Sequence, residues 1–399
     1  MRIPKLRFPE FGREWESKKL GEIAIFTKGK GISKNEIVED GETECIRYGE
    51  LYTFYEEVIS EIRSKTNTKI SSLILSEAND VIIPASGETQ IDIATASCVL
   101  KSGVALGGDL NIIKTKNNGV FLSYYLNSNK KLEIAKLSQG ISVVHLYSSQ
   151  LALLNLKLPQ LEEQEKLANF LSLLNSRIHT QKKIIRDMQL LKNTVSKKLF
   201  SQQLRFKNND RAFPNWDLKE LQDVCKIIGG GTPETNKTEY WNGDIQWFTP
   251  TEIKSNFVSK SERTITDLGL KNSSAKILPK GTILITTRAT IGETSIALKE
   301  CTTNQGFQSL IANKDINNIY IFYWIRVNKY ELTKRANGST FPEISKSEIE
   351  KIKIPIPNIE EQNKIALFLS TIDEKITLQK DLLTKYEMQK KYLLTNLFV

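Results

Sequence analysis

Two stretches of the chain share one hydrophobic rhythm. Leu167, Leu171, Leu174, Ile178, Gln181, Ile185, Met188, Lys192, Val195 and Leu199 follow in steps of four and three residues. Ile365, Leu369, Ile372, Ile376, Gln379, Leu383, Tyr386, Lys390, Leu393 and Leu397 do the same. A period averaging about 3.5 residues is the seam of a coiled coil, whereas a helix lying on a globular core shows a broader stripe. Neither stretch holds an internal Pro or Gly. About 40 residues rising ~1.5 Å each would make a rod of roughly 60 Å. The pattern thus predicts two long helices that pair antiparallel, since each leads away from the residues before it. The competing reading is two separate amphipathic helices, each packed on its own domain.

The helix starts carry their own chemistry. Pro159 precedes the first, with Glu162 and Glu163 opposing the positive end of its dipole. Asn358 can cap the second, with Glu361 three residues on completing a capping box. Lys197 and Lys198 suit the last turns of the first helix. Gln181 and Gln379 fall near mid-rod, where a meeting of polar seam residues would fix the register. Facing water at a rim is the alternative for that pair.

The chain also repeats itself. Pro159–Ser172 (PQLEEQEKLANFLS) matches Pro357–Ser370 (PNIEEQNKIALFLS) at a separation of 198 residues, and the match runs on to Leu199-Phe200 against Leu397-Phe398. Backward it pairs Gly140 with Gly338, Tyr125 with Tyr323 and Gly108 with Gly306. Each half opens alike, with Phe8-Pro9, Trp15 and Leu20 corresponding to Phe213-Pro214, Trp216 and Leu221. Between entrance and exit the halves diverge, most clearly over residues 32–105 against 233–303. The organisation expected is a domain over 1–157, a long helix over 158–203, a second domain over 204–355 and a second helix over 356–399. The fold class is α+β, with two mixed α/β domains and an internal pseudo-two-fold repeat. Asp80–Gly87 and Thr282–Thr290 read as buried strands running into loops, the latter ending at Gly292.

Composition adds a sign. The 399 residues hold 56 Lys plus Arg against 46 Asp plus Glu, a formal charge of +10 that favours polyanionic partners. The N-terminal MRIPKLRFPEF has no signal-peptide core, and no apolar run nears the roughly 20 residues of a membrane span. A cytoplasmic location is expected. Cys45, Cys98, Cys225 and Cys301 form no CxxC, which speaks against a local zinc site and for reduced thiols. His145 and His179 are the only histidines, and both read as structural or surface residues.

Aromatic and small polar residues gather near the turns, as in Arg47–Tyr52, Trp247–Thr251 and Thr303–Gln308. Arg, Asn and Gln side chains can hydrogen-bond base edges in the major groove. Arg47, Gln90, Arg288, Asn304 and Gln305 are therefore the candidates for base reading, with Lys28, Lys30 and Lys254 for phosphate. Each could equally be an ordinary surface residue. The Gly-rich Gly229–Pro233 lacks the Lys-Ser/Thr of a P-loop and the spacing of a dinucleotide fingerprint, and reads as a turn.

The doubled L/I-P-x-L/I-E-E-Q-x-K motif, Ile285–Gly292 (ITTRATIG) and Thr303–Ser309 (TNQGFQS) together resemble the specificity subunit of type I restriction–modification systems, over the whole chain. Domain one departs from the pattern at Pro84–Gln90, where Ala85-Ser86-Gly87 replaces the Thr-Thr-Arg run. The resemblance implies two target recognition domains, each reading half of a bipartite, asymmetric DNA sequence, with the helical rod setting the spacer. It also implies two methyltransferase subunits binding S-adenosylmethionine and two motor–nuclease subunits using ATP and Mg, with no catalytic, cofactor or metal residue in this chain. The sequence agrees by omission: it lacks an Asn/Asp-Pro-Pro-aromatic methyltransferase motif, a cofactor glycine loop, a Walker lysine and a clustered nuclease signature. A self-contained DNA methyltransferase and a coiled-coil adaptor without sequence-specific binding are the alternatives.

Overall fold

A computed structural model describes residues 3–140, 143–208, 211–288, 290–338 and 342–399. The chain divides into two compact units, residues 1–183 with 381–399, and residues 184–380. Each long helix is therefore shared between the units.

The first unit contains β1 (Glu16–Lys19), β2 (Ala24–Lys28), β3 (Val58–Ile59), β4 (Asp80–Pro84), β5 (Ser97–Val99), β6 (Leu110–Thr115), α1 (Gly119–Tyr125) and β7 (Asn155–Leu158), followed by α2 (Leu161–Phe200). Five strands form a sheet in the order β2-β6-β4-β5-β3, antiparallel except where β3 joins β5. Alternation along the strands buries both faces. Val81, Ile83 and Ile113 join a core with Phe121 and Leu122 of α1. Ile82, Leu110 and Ile112 face Ile46 and Leu51 on the other side.

The second unit repeats this design with β8 (Asp217–Glu220), β9 (Cys225–Gly229), β10 (Phe257–Val258), β11 (Ile283–Thr286), β12 (Thr294–Ala297), β13 (Phe307–Ala312), α3 (Asn318–Val327), β14 (Lys353–Ile356) and α4 (Ile359–Asn396). Its sheet runs β9-β13-β11-β12-β10, the same topology. Again one side of the strands (Ile283, Ile285, Leu310) packs with α3, and the other (Leu284, Phe307) with Phe248 and Leu278.

Each unit pairs the two long helices antiparallel. In the first, Leu167 and Leu171 of α2 share a core with Leu397 and Phe398 just beyond α4, while Lys182 lies 3.3 Å from Glu387. In the second, Leu199 and Phe200 pack with Ile365 and Leu369, and Lys192 donates to Asp373 at 2.5 Å. Numbers rise on one helix as they fall on the other. The seam faces inward: Leu171, Leu174, Ile178, Gln181 and Ile185 are buried, as are Leu369 and Ile376, with Ile372, Gln379 and Leu383 half-buried.

Both entrances are bound to their exits. β1 pairs β7 with Glu16 opposite Leu158, and β8 pairs β14 with Asp217 opposite Ile356. A buried carboxylate clamps each junction. Glu163 accepts two bonds from Arg7, at 2.8 and 2.7 Å, and one from the Trp15 indole. Glu361 accepts from Arg205, at 3.1 and 2.8 Å, and from Trp216 at 2.9 Å. The expected capping box is thus only half made. Asn358 accepts the Glu361 amide at 2.9 Å, but the Glu361 side chain turns away to these long-range donors, which offer charge that its own helix start does not. The neighbouring glutamines join near and far backbone: Gln164 spans the Asn118 amide and the Pro159 carbonyl, and Gln362 spans the Asn317 amide and the Pro357 carbonyl.

Contacts correct two pairings of the repeat. Phe8 meets Phe170 edge-on, and the matching contact to Phe368 comes from Phe206, not Phe213. Phe213 instead receives Lys364 over its ring, as Phe8 receives Lys166; a short strand pair at Lys207–Asn208 and Arg211–Ala212 separates the two roles. The second correction lies in α1. A π-helical turn at Leu126–Lys130 adds one residue, so Tyr323 corresponds to Tyr124 rather than Tyr125. Tyr124 lies under Lys390 and Tyr323 under Lys192.

All four thiols are free and buried. Burial disfavours the thiolate and pushes Cys45 up to about 11, and Cys98, Cys225 and Cys301 up to about 12. Iodoacetamide at pH 8 should therefore leave the folded chain unlabelled while labelling all four sites in denaturant, as counted by intact mass. Rapid labelling of the folded chain would contradict the burial. His145 and His179 are both exposed. Among the described residues, no helix is long and apolar enough to cross a membrane, and no three His, Cys, Asp or Glu converge to hold a metal ion.

Candidate nucleic-acid interface

In both units the loops that hold most of the sequence candidates gather at one end of the five-stranded sheet. In the first, Lys28 ends β2 opposite Asn111, which is itself opposite Ile83 near the end of β4. Beyond that edge, residues 29–31 lie on residues 106–108: the Lys30 amide donates to the Leu106 carbonyl and the Gly108 amide to Gly31. Gly29 is required there, because a β-carbon would overlap the Gly107 carbonyl. Arg47 stands at the N-cap of a short helix, Tyr48–Thr53, with Glu50 accepting its amide. Its side-chain stem borders Gly107.

Lys28 and Lys30 are exposed and Arg47 is half-buried. The Arg47 Nε is buried with no hydrogen-bond partner among the described residues. Gln90, exposed, opens the short helix Gln90–Ile93 that follows Ser86-Gly87 at this same end, capped by Thr89. Sequence reasoning missed Tyr147, whose ring stacks on His145 and lies 6.0 Å beneath the Lys28 ammonium. Its signal was weak: one aromatic beside a histidine in a short polar stretch.

In the second unit Gly229 ends β9 opposite Gln308, which faces Ile285 of β11. Residues 230–232 fold back on residues 303–305. The Gly231 amide donates to the Thr303 carbonyl, and the Trp247 indole donates to the Gly231 carbonyl at 2.8 Å. A β-carbon on Gly230 would overlap Asn304. Gly229–Pro233 is thus a packed turn whose amides and carbonyls serve the fold.

Asn304 and Gln305 meet at this turn, Arg288 follows Thr287, whose amide donates to the Gly306 carbonyl, and each of the three already has a partner. Asn304 Oδ1 accepts the Gly306 amide at 2.9 Å. Gln305 bonds the Thr232 hydroxyl. Arg288 pairs with Glu343 at 2.8 Å, with both side chains about half exposed. An ion pair that open to water is worth little, so Arg288 can leave it for a phosphate or base at small cost. Lys254 is exposed between the Pro250–Glu252 turn and Asn256. Within the ITTRATIG run, Ala289 lies outside the described residues.

The chain thus holds two copies of one sheet design, each with its own set of loops at the same end. Residues 12–187 and 214–388 each match the family described as type I restriction modification DNA specificity domain. The chain belongs to this family. It is a type I restriction–modification specificity subunit, non-catalytic and concerned with DNA target recognition.

The type I restriction enzyme MjaIX specificity subunit of Methanocaldococcus jannaschii is 39% identical over 188 residues, covering 45% of this chain and 44% of the relative. The EcoR124I/EcoR124II specificity subunit of Escherichia coli is 32% identical over 164 residues, 39% of this chain and 41% of that one. These two alignments span less than half of the relatives' lengths. The putative MjaX specificity subunit of M. jannaschii aligns over 97% of this chain and 93% of its own length at 25% identity. The crystal structure of the S subunit from M. genitalium shares the specificity subunit's fold, with a TM-score of 0.65 at 17% identity, covering 100% of this chain and 99% of that one.

Proposed function

We propose that this specificity subunit reads a bipartite, asymmetric DNA target, one half-site per domain, with residues 1–157 and 204–355 as the two target recognition domains. The observation that carries the reading is the pairing of one topology with two different loop sets at the same sheet end. Identical readers would need no such divergence; a scaffold would need no loops of this kind. Lys28, Lys30 and Lys254 supply salt-dependent phosphate affinity, while Arg47, Gln90, Arg288, Asn304 and Gln305 take part in base reading. The helices α2 and α4 set the unread spacer, with Gln181 and Gln379 fixing their register. Half-sites about one turn apart, ~34 Å, fall on one face of the duplex.

Catalysis belongs to partners in this reading. Two methyltransferase subunits bind S-adenosylmethionine, and two motor–nuclease subunits bind ATP and Mg, all in the cytoplasm.

Mapping methylated motifs in cells that co-express the chain with its methyltransferase tests the proposal. A split motif is expected; a single continuous one refutes it. Inserting four residues near Asn193, a stutter in the seam, should lengthen the unread spacer and leave both half-sites as they were. An unchanged spacer would count against the role of the helices.

A further inference from the structure

Besides its junction clamp, each unit has a polar knot that ties its domain to both long helices, and the two knots are built with their acid and amide exchanged. In the second unit the acid is on the helix: Asp373 of α4 accepts Lys192 of α2 at 2.5 Å, the Asn256 amide at 2.7 Å and the Tyr323 hydroxyl at 2.7 Å. In the first unit the acid is on the domain. Glu57 accepts Lys390 of α4, at 3.2 and 3.0 Å, and the Asn175 amide of α2 at 3.1 Å.

The positions correspond one to one. Lys192 and Lys390, and Asn175 and Asp373, stand 198 residues apart. Glu57 and Asn256 each directly precede the edge strand, β3 or β10, that runs parallel to its neighbour. Tyr124 and Tyr323 lie under the two lysines. All four charged side chains are no more than 20% exposed, so each lysine depends on its one carboxylate.

We propose that positions 57 and 175, like 256 and 373, form a seating code: one of each pair must be an acid and the other an amide for a domain to dock on its helices. Two amides leave the lysine uncompensated, and two acids repel across about 3 Å. The first unit shows what an acid at 175 would gain. Tyr124 lies within reach of Ser172 and Asn175, yet neither its buried hydroxyl nor the buried Asn175 Oδ1 reaches full hydrogen-bond geometry with a described residue. A carboxylate there would accept that hydroxyl as Asp373 accepts Tyr323. The code goes beyond target reading, since it governs which domain a given helix pair accepts.

The test is an exchange in the full chain, read by thermal unfolding of Glu57→Gln, Asn175→Asp and the double variant. Gln keeps the length of Glu, so the double variant moves the charge without changing the combined side-chain length. Each single change should lower the melting temperature by ~4–8 °C, and the double variant should return to within ~2 °C of the parent. Asp373→Asn with Asn256→Asp should show the same pattern in the second unit. Losses that simply add in the double variants, or single changes without effect, would overturn the code. The parent supplies the folded reference, and the return to its melting temperature, rather than non-additivity as such, is what a merely local packing role would not produce.

Discussion

Glu361→Ala should destabilise the second unit by about 3 kcal/mol, through the loss of an acid that holds an entrance to an exit. The carboxylate is fully buried, and Arg205 is 23% exposed. Removing the acid strands the guanidinium donors and the Trp216 indole together, which costs more than the attraction alone. Glu361→Gln keeps the volume and one acceptor for the indole, so about half the loss is expected. Urea unfolding of the full chain, followed by Trp fluorescence and by circular dichroism, measures both. A midpoint shift worth less than ~0.5 kcal/mol in the alanine variant would show that strand pairing alone holds the junction.

Exchange of the first domain is the second large effect. Replacing residues 1–158 with the corresponding domain of another family member should rewrite one half-site completely and leave the other untouched. The junction belongs at Pro159 because β7 pairs with β1 up to Leu158, so a cut inside β7 would join mismatched strands. The incoming domain also has to bring Arg and Trp partners for Glu163 and, by the seating code, an acid at the position of Glu57. Methylation mapping reads the outcome. Changes in both half-sites at once would contradict modular reading.

The long helices were legible because a 3.5-residue period persists through ten seam positions, more than local noise sustains. The repeat was legible because matching helix starts recur in phase. The uses of those helix starts were not. Local rules assign Glu361 to its own helix terminus, yet its partners Arg205 and Trp216 stand about 150 residues away, a separation no capping rule spans. The added residue of the π-helical turn was equally hidden, since Tyr124 and Tyr125 are both tyrosine and either could match Tyr323. The candidate interface was legible only in part. Sequence placed Lys28 and Arg288 near loops, but whether a side chain is already engaged, as Gln305 is by Thr232, depends on chain segments that meet only after folding.

The strand pairs at the domain entrances have a consequence for how these sequences can diversify. From Glu16 to Leu158 the enclosed stretch is three residues longer than from Asp217 to Ile356, yet both close on the same end-to-end pairing. Growth or shrinkage of the chain within such a closure is absorbed before it reaches the outgoing helix, whose phase is set afresh at Pro159 or Pro357. The loops inside each closure can therefore lengthen, shorten or be rebuilt while the paired long helices stay in step.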